Sequence, residues 1–170
     1  FYHAIVKVAK STGGEIRSFN GDSLLVFYPG TTKQSLSNAV KAAMQMTYAI
    51  KTLLNDNLKN YSDIDFGIGI DYGKVLATKV GVGGSDETKD LIWIGNPVNK
   101  STKISDNCKS SYNIGISKFV YNNLNDEVKY HEKDNGYGGK TKVDMWTQGN
   151  FTYNGQTEVY YRTNYHWIIS

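Results

Sequence analysis

Asp22 is the residue whose type and position most suggest chemistry. It follows Asn20-Gly21, which lies between two short apolar-rich runs, Glu15 to Phe19 and Ser23 to Tyr28. Asn-Gly between two such runs is a strong hairpin signal, and we expect both turn residues to take positive φ. A carboxylate at the tip of a tight hairpin is rigid and exposed, which suits a Mg²⁺ ligand. Because Asp is also common in turns for structural reasons, a plain turn residue remains the alternative.

The surrounding elements predict an α+β fold with a mostly antiparallel sheet and helices on one face. Apolar residues at helical spacing indicate a long helix from about Ser35 to Leu58, and alternation over Ile64 to Ile70 indicates a strand with one buried face. The remaining elements are a helix end before Gly13, strands at Lys74 to Val80, Leu91 to Ile94, Tyr112 to Ile116 and Thr157 to Thr163, a loop over 81–90, and helices after Pro97 and Ser117.

Composition bounds the class of protein. A net charge of +3 gives no case for nucleic-acid binding. Cys108 is the only cysteine, so there is no intrachain disulfide or cysteine metal site, and a reducing cytoplasm fits best. No apolar run approaches the roughly 18 residues of a membrane helix. The chain begins at Phe1 within an apparent helix, so we interpret residues 1–170 as one domain that lacks its N-terminal part.

Four segments together resemble the class III nucleotide cyclase family, the adenylate and guanylate cyclase homology domain. They are Gly13 to Phe27, which contains Gly21-Asp22, then Phe66 to Gly73, Trp93 to Asn99, and Ile114 to Leu124. Each segment is weak alone, but four in the right order over about two thirds of the chain are specific. The resemblance implies a ferredoxin-like, palm-type α+β domain whose first strand is missing here.

The resemblance also implies an activity and a set of site residues. The family forms a head-to-tail homodimer in which the ribose 3′-hydroxyl of a nucleoside triphosphate attacks the α-phosphate and releases pyrophosphate. Two Mg²⁺ or Mn²⁺ ions assist, and Asp22 matches one metal carboxylate, whereas the other lies on a strand upstream of this chain. Asn99 matches the asparagine that orients the ribose. Four residues later, Lys103 replaces an arginine that stabilises the reacting phosphate, and it loses the bidentate fork.

The base-reading positions depart furthest from the purine-cyclase pattern. Purine cyclases commonly carry a lysine where this chain has Ser18, and an aspartate or threonine where it has Ile92. A short hydroxyl and an aliphatic chain cannot make the same contacts with a purine edge. The bacterial pyrimidine cyclases of the Pycsar antiphage systems also lack this pair, and the aromatic C-terminal tail is similar to theirs. Arg17 is a residue of the kind that could narrow the base pocket.

Three hypotheses therefore remain. The favoured one is a cyclase that makes cyclic UMP or cyclic CMP, with UTP preferred over CTP, as an antiphage signal. The second is an adenylate or guanylate cyclase with an unusual base pocket. The third is a degenerate domain that only dimerises or binds nucleotide, for which Lys103 and Gln156, at a position where the family often has a phosphate-binding lysine, are the argument.

Overall fold

The N-terminal part of the molecule is a helix followed by a hairpin. The computed structural model describes residues 2–57, 63–80, 90–109 and 111–169. Helix α1 (Tyr2–Ser11) leads into strands β1 (Glu15–Asn20) and β2 (Ser23–Phe27), which pair antiparallel. The hairpin predicted around the metal-ligand candidate is therefore confirmed.

The turn of this hairpin is formed one position later than expected. Asn20 still pairs with Ser23, so the two central residues are Gly21 and Asp22. Gly21 has a φ of +58°, whereas Asp22 keeps a negative φ. Glycine at the first central position with one positive φ is the pattern of a type II′ turn. The prediction that both turn residues have positive φ was wrong, because Asn20 remains in the strand.

The predicted long helix is a composite. Helix α2 (Lys33–Tyr48) begins at Thr32, whose hydroxyl accepts from the Ser35 N–H at 3.1 Å while the Ser35 hydroxyl accepts from the Thr32 N–H at 3.1 Å. This reciprocal capping satisfies two backbone donors at the helix start. The helix then continues as a π-helical segment (Ala49–Leu54) and a short turn, α3 (Asn55–Asn57). The predicted end at Leu58 lies outside the described residues.

The larger sheet has four strands, β3 (Ile68–Ile70), β6 (Ile114–Ser117), β9 (Thr147–Tyr153) and β10 (Gln156–Thr163). Their order across the sheet is β3-β6-β10-β9. The pair β3–β6 is parallel, and the other two pairs are antiparallel, as the sequence predicted. The remaining elements are strand pairs β4 (Leu76–Val80) with β5 (Asp90–Ile94) and β7 (Tyr130–Asp134) with β8 (Lys140–Asp144), and helices α4 (Asn96–Asp106), α5 (Lys118–Asn122) and α6 (Asp126–Lys129). Apart from Asp90, the predicted loop over 81–90 lies outside the described residues.

Helices cover both faces of this sheet, and the expectation of helices on one face was wrong. Ile114 and Ile116 of β6 point into a core that α2 contributes to, whereas Gly115 between them faces Ile104 of α4 and the buried Cys108. A Cβ on Gly69 of β3 would meet the backbone of α4, and a Cβ on Gly67 would meet the carbonyl oxygens of Ser105 at the end of α4 and of Cys108 just after it. The glycines therefore let α4 lie close against the sheet face opposite α2.

Within the described residues, no helix is long and apolar enough to cross a membrane.

Candidate active site

Two of the sequence-predicted residues face a common cavity beside α4. The cavity measures about 360 Å³ and lies between α4 and the end of the β9–β10 hairpin. It is lined by Asn99, Thr102, Lys103, Thr152, Tyr153 and Asn154. The three lining residues from α4 are spaced i, i+3 and i+4, so they share one face of the helix. The structure thus brings together the candidate ribose-binding and phosphate-binding residues.

The position of α4 follows from its first residues. Gly95 precedes the helix, and a Cβ there would lie 2.7 Å from the carbonyl oxygen of Lys74, so only glycine fits this close approach. Pro97 lies in the first turn, where its missing N–H costs nothing. The Ile-Gly-Asn-Pro sequence therefore fixes the start of α4 against the backbone of the Lys74–Val75 segment.

The opposite wall of the cavity is the turn between β9 and β10. Tyr153 pairs with Gln156, so Asn154 and Gly155 are the central turn residues. Their φ values are +48° and +76°, which is the type I′ pattern favoured by Asn-Gly. This turn places Asn154 in the wall of the cavity, and Gln156 is exposed directly after it. The type I′ Asn-Gly turn of this chain is therefore here, not in the β1–β2 hairpin.

The two candidate side chains on α4 are available to a ligand. The Lys103 side chain is 60% exposed, and its ammonium lies 3.7 Å from the Asp106 carboxylate, also exposed. At such exposure an ion pair is weak, so the ammonium can turn to a ligand phosphate. Within the described residues, no hydrogen bond engages the Asn99 side chain, which is exposed. Both side chains can bind a polar ligand without breaking a strong internal contact.

Asp22 is exposed at the tip of its hairpin, outside the residues that line this cavity. The tip is held by two bonds to backbone carbonyls: the Tyr2 hydroxyl donates to Gly21 O at 2.7 Å, and the Ser23 hydroxyl donates to Asn20 O at 2.8 Å. Nothing in the described chain engages the Asp22 carboxylate. Its carboxylate oxygens are therefore exposed on a turn that two hydrogen bonds hold in place. In the same residues, no three His, Cys, Asp or Glu side chains cluster as a complete metal site.

Arg17 and Ser18 of β1 share one face of the hairpin because the strand contains a bulge. The register shifts between Ile16 and Ser18, and Arg17 is the extra residue. Its guanidinium pairs with Glu15 and lies 5.7 Å from the centroid of the Phe27 ring. A bulge of this kind re-aims side chains that strict alternation would separate. Ser18, opposite Leu25, is half-buried beside it.

The β5 residue that meets this face is Trp93, which the sequence reasoning did not select. The Arg17 guanidinium carbon lies 4.9 Å from the Trp93 ring centroid, and Phe27 meets the same ring edge-on at 5.0 Å. Ile92 is 41% exposed and, by strand alternation, lies on the other face of β5. Alternation along β5 could have identified Trp93. The N–H groups at Arg17 Nε and Trp93 Nε1 are buried without a partner within the described residues.

Comparison with known proteins assigns the family. The adenylate and guanylate cyclase catalytic domain family matches residues 9–159. The chain belongs to this family. The solved guanylyl cyclase Cya2 superposes on the cyclase domain with a TM-score of 0.69 at 20% identity, over 95% of this chain and 75% of that one. At this identity the likeness establishes the fold, and it confirms the α+β class III prediction.

Several curated relatives of the cyclase domain carry the name uridylate cyclase. The protein of Burkholderia cepacia is 27% identical over 143 residues, covering 82% of this chain and 56% of that protein. The protein of Rhodovulum sp. (strain MB263) is 28% identical over 161 residues, covering 90% of this chain and 62% of that protein. The chain thus spans less than two thirds of either relative, and it is a nucleotide cyclase domain by family.

Proposed function

We propose that this domain cyclises a pyrimidine nucleoside triphosphate, UTP in preference to CTP, to the 3′,5′-cyclic nucleotide and pyrophosphate. One observation carries the proposal: α4 presents Asn99 and Lys103 together into a single cavity, at the positions where the family orients the ribose and stabilises the α-phosphate. The uridylate cyclases among the relatives support a pyrimidine substrate.

In the proposed reaction these side chains position the substrate and compensate charge, and they form no covalent bond to it. The 3′-oxygen attacks the α-phosphorus, the bond from that phosphorus to the pyrophosphate oxygen breaks, and the 3′-hydroxyl proton passes to solvent water. Asn99 holds the ribose so that the 3′-oxygen points at phosphorus. Lys103 offsets the negative charge that grows on the phosphate, as a single ammonium charge instead of the arginine fork. Mg²⁺ or Mn²⁺, held by Asp22 and further oxygen ligands, would supply Lewis-acid activation.

A homodimer would bring Asp22 of one subunit to the α4 cavity of the other. Within one chain Asp22 does not line that cavity, although the proposed reaction needs both. One face of the β4–β5 pair supports association: Leu76, Ile92 and Ile94 lie on it and are 63%, 41% and 53% exposed. Such a patch is typical of a surface that another protein covers. In a two-fold dimer, a self-complementary patch suffices.

The proposed preference for a pyrimidine base rests on the side chains at Ser18 of β1 and Ile92 of β5, which lack purine-binding groups. Ser18 and Ile92 offer no pair of charged or amide groups for a purine edge, and Ile92 lies on the face of β5 opposite Trp93, which meets the Arg17–Ser18 face of the hairpin. Arg17 adds bulk and charge on the same hairpin face as Ser18, where it lies against Trp93. A pyrimidine is smaller and needs fewer contacts. We place this reaction in the cytoplasm and propose that its cyclic product is an antiphage signal, as in the Pycsar systems that the sequence resembles.

The direct test of the reaction is to incubate the full-length protein with UTP and Mn²⁺. We expect cyclic UMP and pyrophosphate in about equal amounts, and an excess of chelator should stop both, because the metal supplies several kcal/mol of stabilisation to the reacting phosphate. Release of inorganic phosphate instead of pyrophosphate would contradict cyclisation. Unchanged turnover with chelator would contradict the metal assignment.

A further inference from the structure

The side of α4 that faces the sheet carries a second, more buried contact. The Lys100 ammonium lies 2.7 Å from Oε2 of Glu158 on β10, and their side chains are 16% and 34% exposed. This is far less exposed than the Lys103–Asp106 pair on the same helix. Because both groups lose most of their water, each needs the other as a partner, and removing one leaves an uncompensated charge. Lys100 is therefore committed to β10 and is not free to bind a ligand.

Tyr153 supplies a second link between α4 and the β9–β10 hairpin. Its hydroxyl donates to Oδ1 of Asn96 at 2.6 Å, and the Lys100 ammonium lies 5.1 Å from the centroid of its ring. Tyr153 is 9% exposed and lines the cavity. Asn96 and Lys100 are one helical turn apart, and Asn99 lies between them in sequence. The hairpin thus holds the first two turns of α4 at two points.

A third charged group, the Asp71 carboxylate, also interacts with the Lys100 charge, so the loss of this charge affects two carboxylates. Asp71 follows β3. Burial raises the pKa of its carboxyl group, hydrogen bonding with Ser117 and with the Tyr72 backbone N–H lowers it, the Lys100 charge also lowers it, and the Glu158 charge raises it. The Lys100 charge therefore acts on two carboxylates, those of Glu158 and Asp71. Without the ammonium, the unfavourable interaction between these two carboxylates would be left uncompensated.

We propose that Lys100 is a positioning residue that fixes α4 against β10 and thereby aims Asn99 and Lys103 at the reacting ribose and phosphate. The role rests on the proposed function, since it acts through those two side chains. A shift of about 1 Å in such groups can lower turnover about a hundredfold without removing any contact to substrate. Lys100 itself does not touch the triphosphate, so its loss should alter the rate of the chemical step more than substrate binding.

The test is Lys100→Met in the full-length protein, which keeps the length of the side chain and removes its charge. We expect kcat to fall about tenfold to a hundredfold while KM for the triphosphate changes less than about threefold. Lys100→Arg, which can still pair with Glu158, should keep kcat within about threefold of the wild type. Tyr153→Phe, which breaks the Asn96 link without burying a charge, should lower kcat in the same direction by a smaller factor.

The chain offers a matched control in Lys140→Met. Lys140 pairs with Glu132 at the same 2.7 Å, but these side chains are 65% and 57% exposed on the β7–β8 pair. Its loss should leave kcat unchanged, because an exposed ion pair contributes little. If Lys100→Met leaves kcat at the wild-type value, or raises KM instead as a phosphate ligand would, the positioning role is wrong.

Hydrogen exchange separates this inference from the proposed function. In Lys100→Met the amides of residues 96–106 should exchange about tenfold faster than in the wild type, whereas Lys140→Met should leave them unchanged. Unchanged exchange in α4 would overturn the inference even if the wild type is an active cyclase. A wild type that forms no cyclic nucleotide but shows the exchange difference would refute the proposed function and leave the link between Lys100 and α4 standing.

Discussion

Asp22→Ala is expected to lower turnover of the full-length protein by about a thousandfold, because a metal ion contributes several kcal/mol to the reaction and each 1.4 kcal/mol is about tenfold in rate. The side chain is exposed at the hairpin tip and engages nothing else in the described chain. Its loss should therefore leave the melting temperature unchanged. Initial rates of cyclic product formation at saturating Mn²⁺ measure the effect.

Two companion variants make this result specific. Asp22→Asn keeps the shape of the side chain but not its charge, and it should be nearly as inactive as the alanine variant. Ser23→Ala alters the same turn by removing the hydrogen bond to Asn20 O, and it should keep nearly full activity. Normal cyclisation by Asp22→Ala would show that this carboxylate holds no catalytic metal.

Mixing two inactive variants is expected to restore activity if the site is shared between subunits. Asp22→Ala and Asn99→Ala each damage a different half of the proposed site. In a head-to-tail dimer that contains one copy of each, one site carries both substitutions and the other site carries neither. Random pairing of equal amounts should therefore recover about a quarter of the wild-type activity.

The control for the mixing experiment is each variant alone at the same total concentration, which should stay about a hundredfold or more below the wild type. A second mixture, of Asp22→Ala with Lys100→Met, should also regain activity in the site that carries neither substitution. Mixtures that stay as inactive as their components would show that Asp22 and Asn99 act within one subunit. The sedimentation coefficient of each variant, at micromolar concentration, shows whether it still forms dimers.

Local signals in the sequence were sufficient for most elements and for the candidate residues on α4. The β1–β2 hairpin followed from Asn20-Gly21, and the start of α4 followed from Pro97, because turn and cap chemistry act over a few residues. The shared face of Asn99 and Lys103 follows from helical spacing alone. The opposite wall of their cavity could not be predicted in this way, since Tyr153 and Asn154 reach it only through the pairing of β9 with β10.

Three features were missed because they depend on packing between distant segments. The alternation over Ile64 to Ile70 predicted a strand with one buried face, but α4 also packs against Gly67 and Gly69 on the other face, and only the folded chain shows this approach. The contact of Arg17 with Trp93 depends on a bulge in β1, and no residue pattern in the sequence predicts this bulge. The pair of Lys100 with Glu158 spans 58 positions, so neither charge signals the other in the sequence.

The identity of the nucleotide base is expected to have the largest effect on the rate of cyclisation. A site that hydrogen-bonds a base rejects a base that leaves polar groups unpaired, by as much as about ten-thousandfold. A purine edge that faces Ile92 would lose hydrogen bonds to water without replacement, at about 1–3 kcal/mol each. This argument counts against the usual purine mode, whereas the proposed order of UTP before CTP rests on the uridylate cyclases among the relatives.

The most direct test is to offer ATP, GTP, CTP and UTP separately to the full-length protein with Mn²⁺ and to identify each cyclic product by mass. We predict that cyclic UMP dominates, that cyclic CMP is second, and that either purine product forms at least about a hundredfold more slowly. Dominant cyclic AMP or cyclic GMP would contradict the base assignment and indicate a purine cyclase with an unusual pocket. If none of the four gives a cyclic product, the domain is a degenerate relative that only dimerises or binds nucleotide.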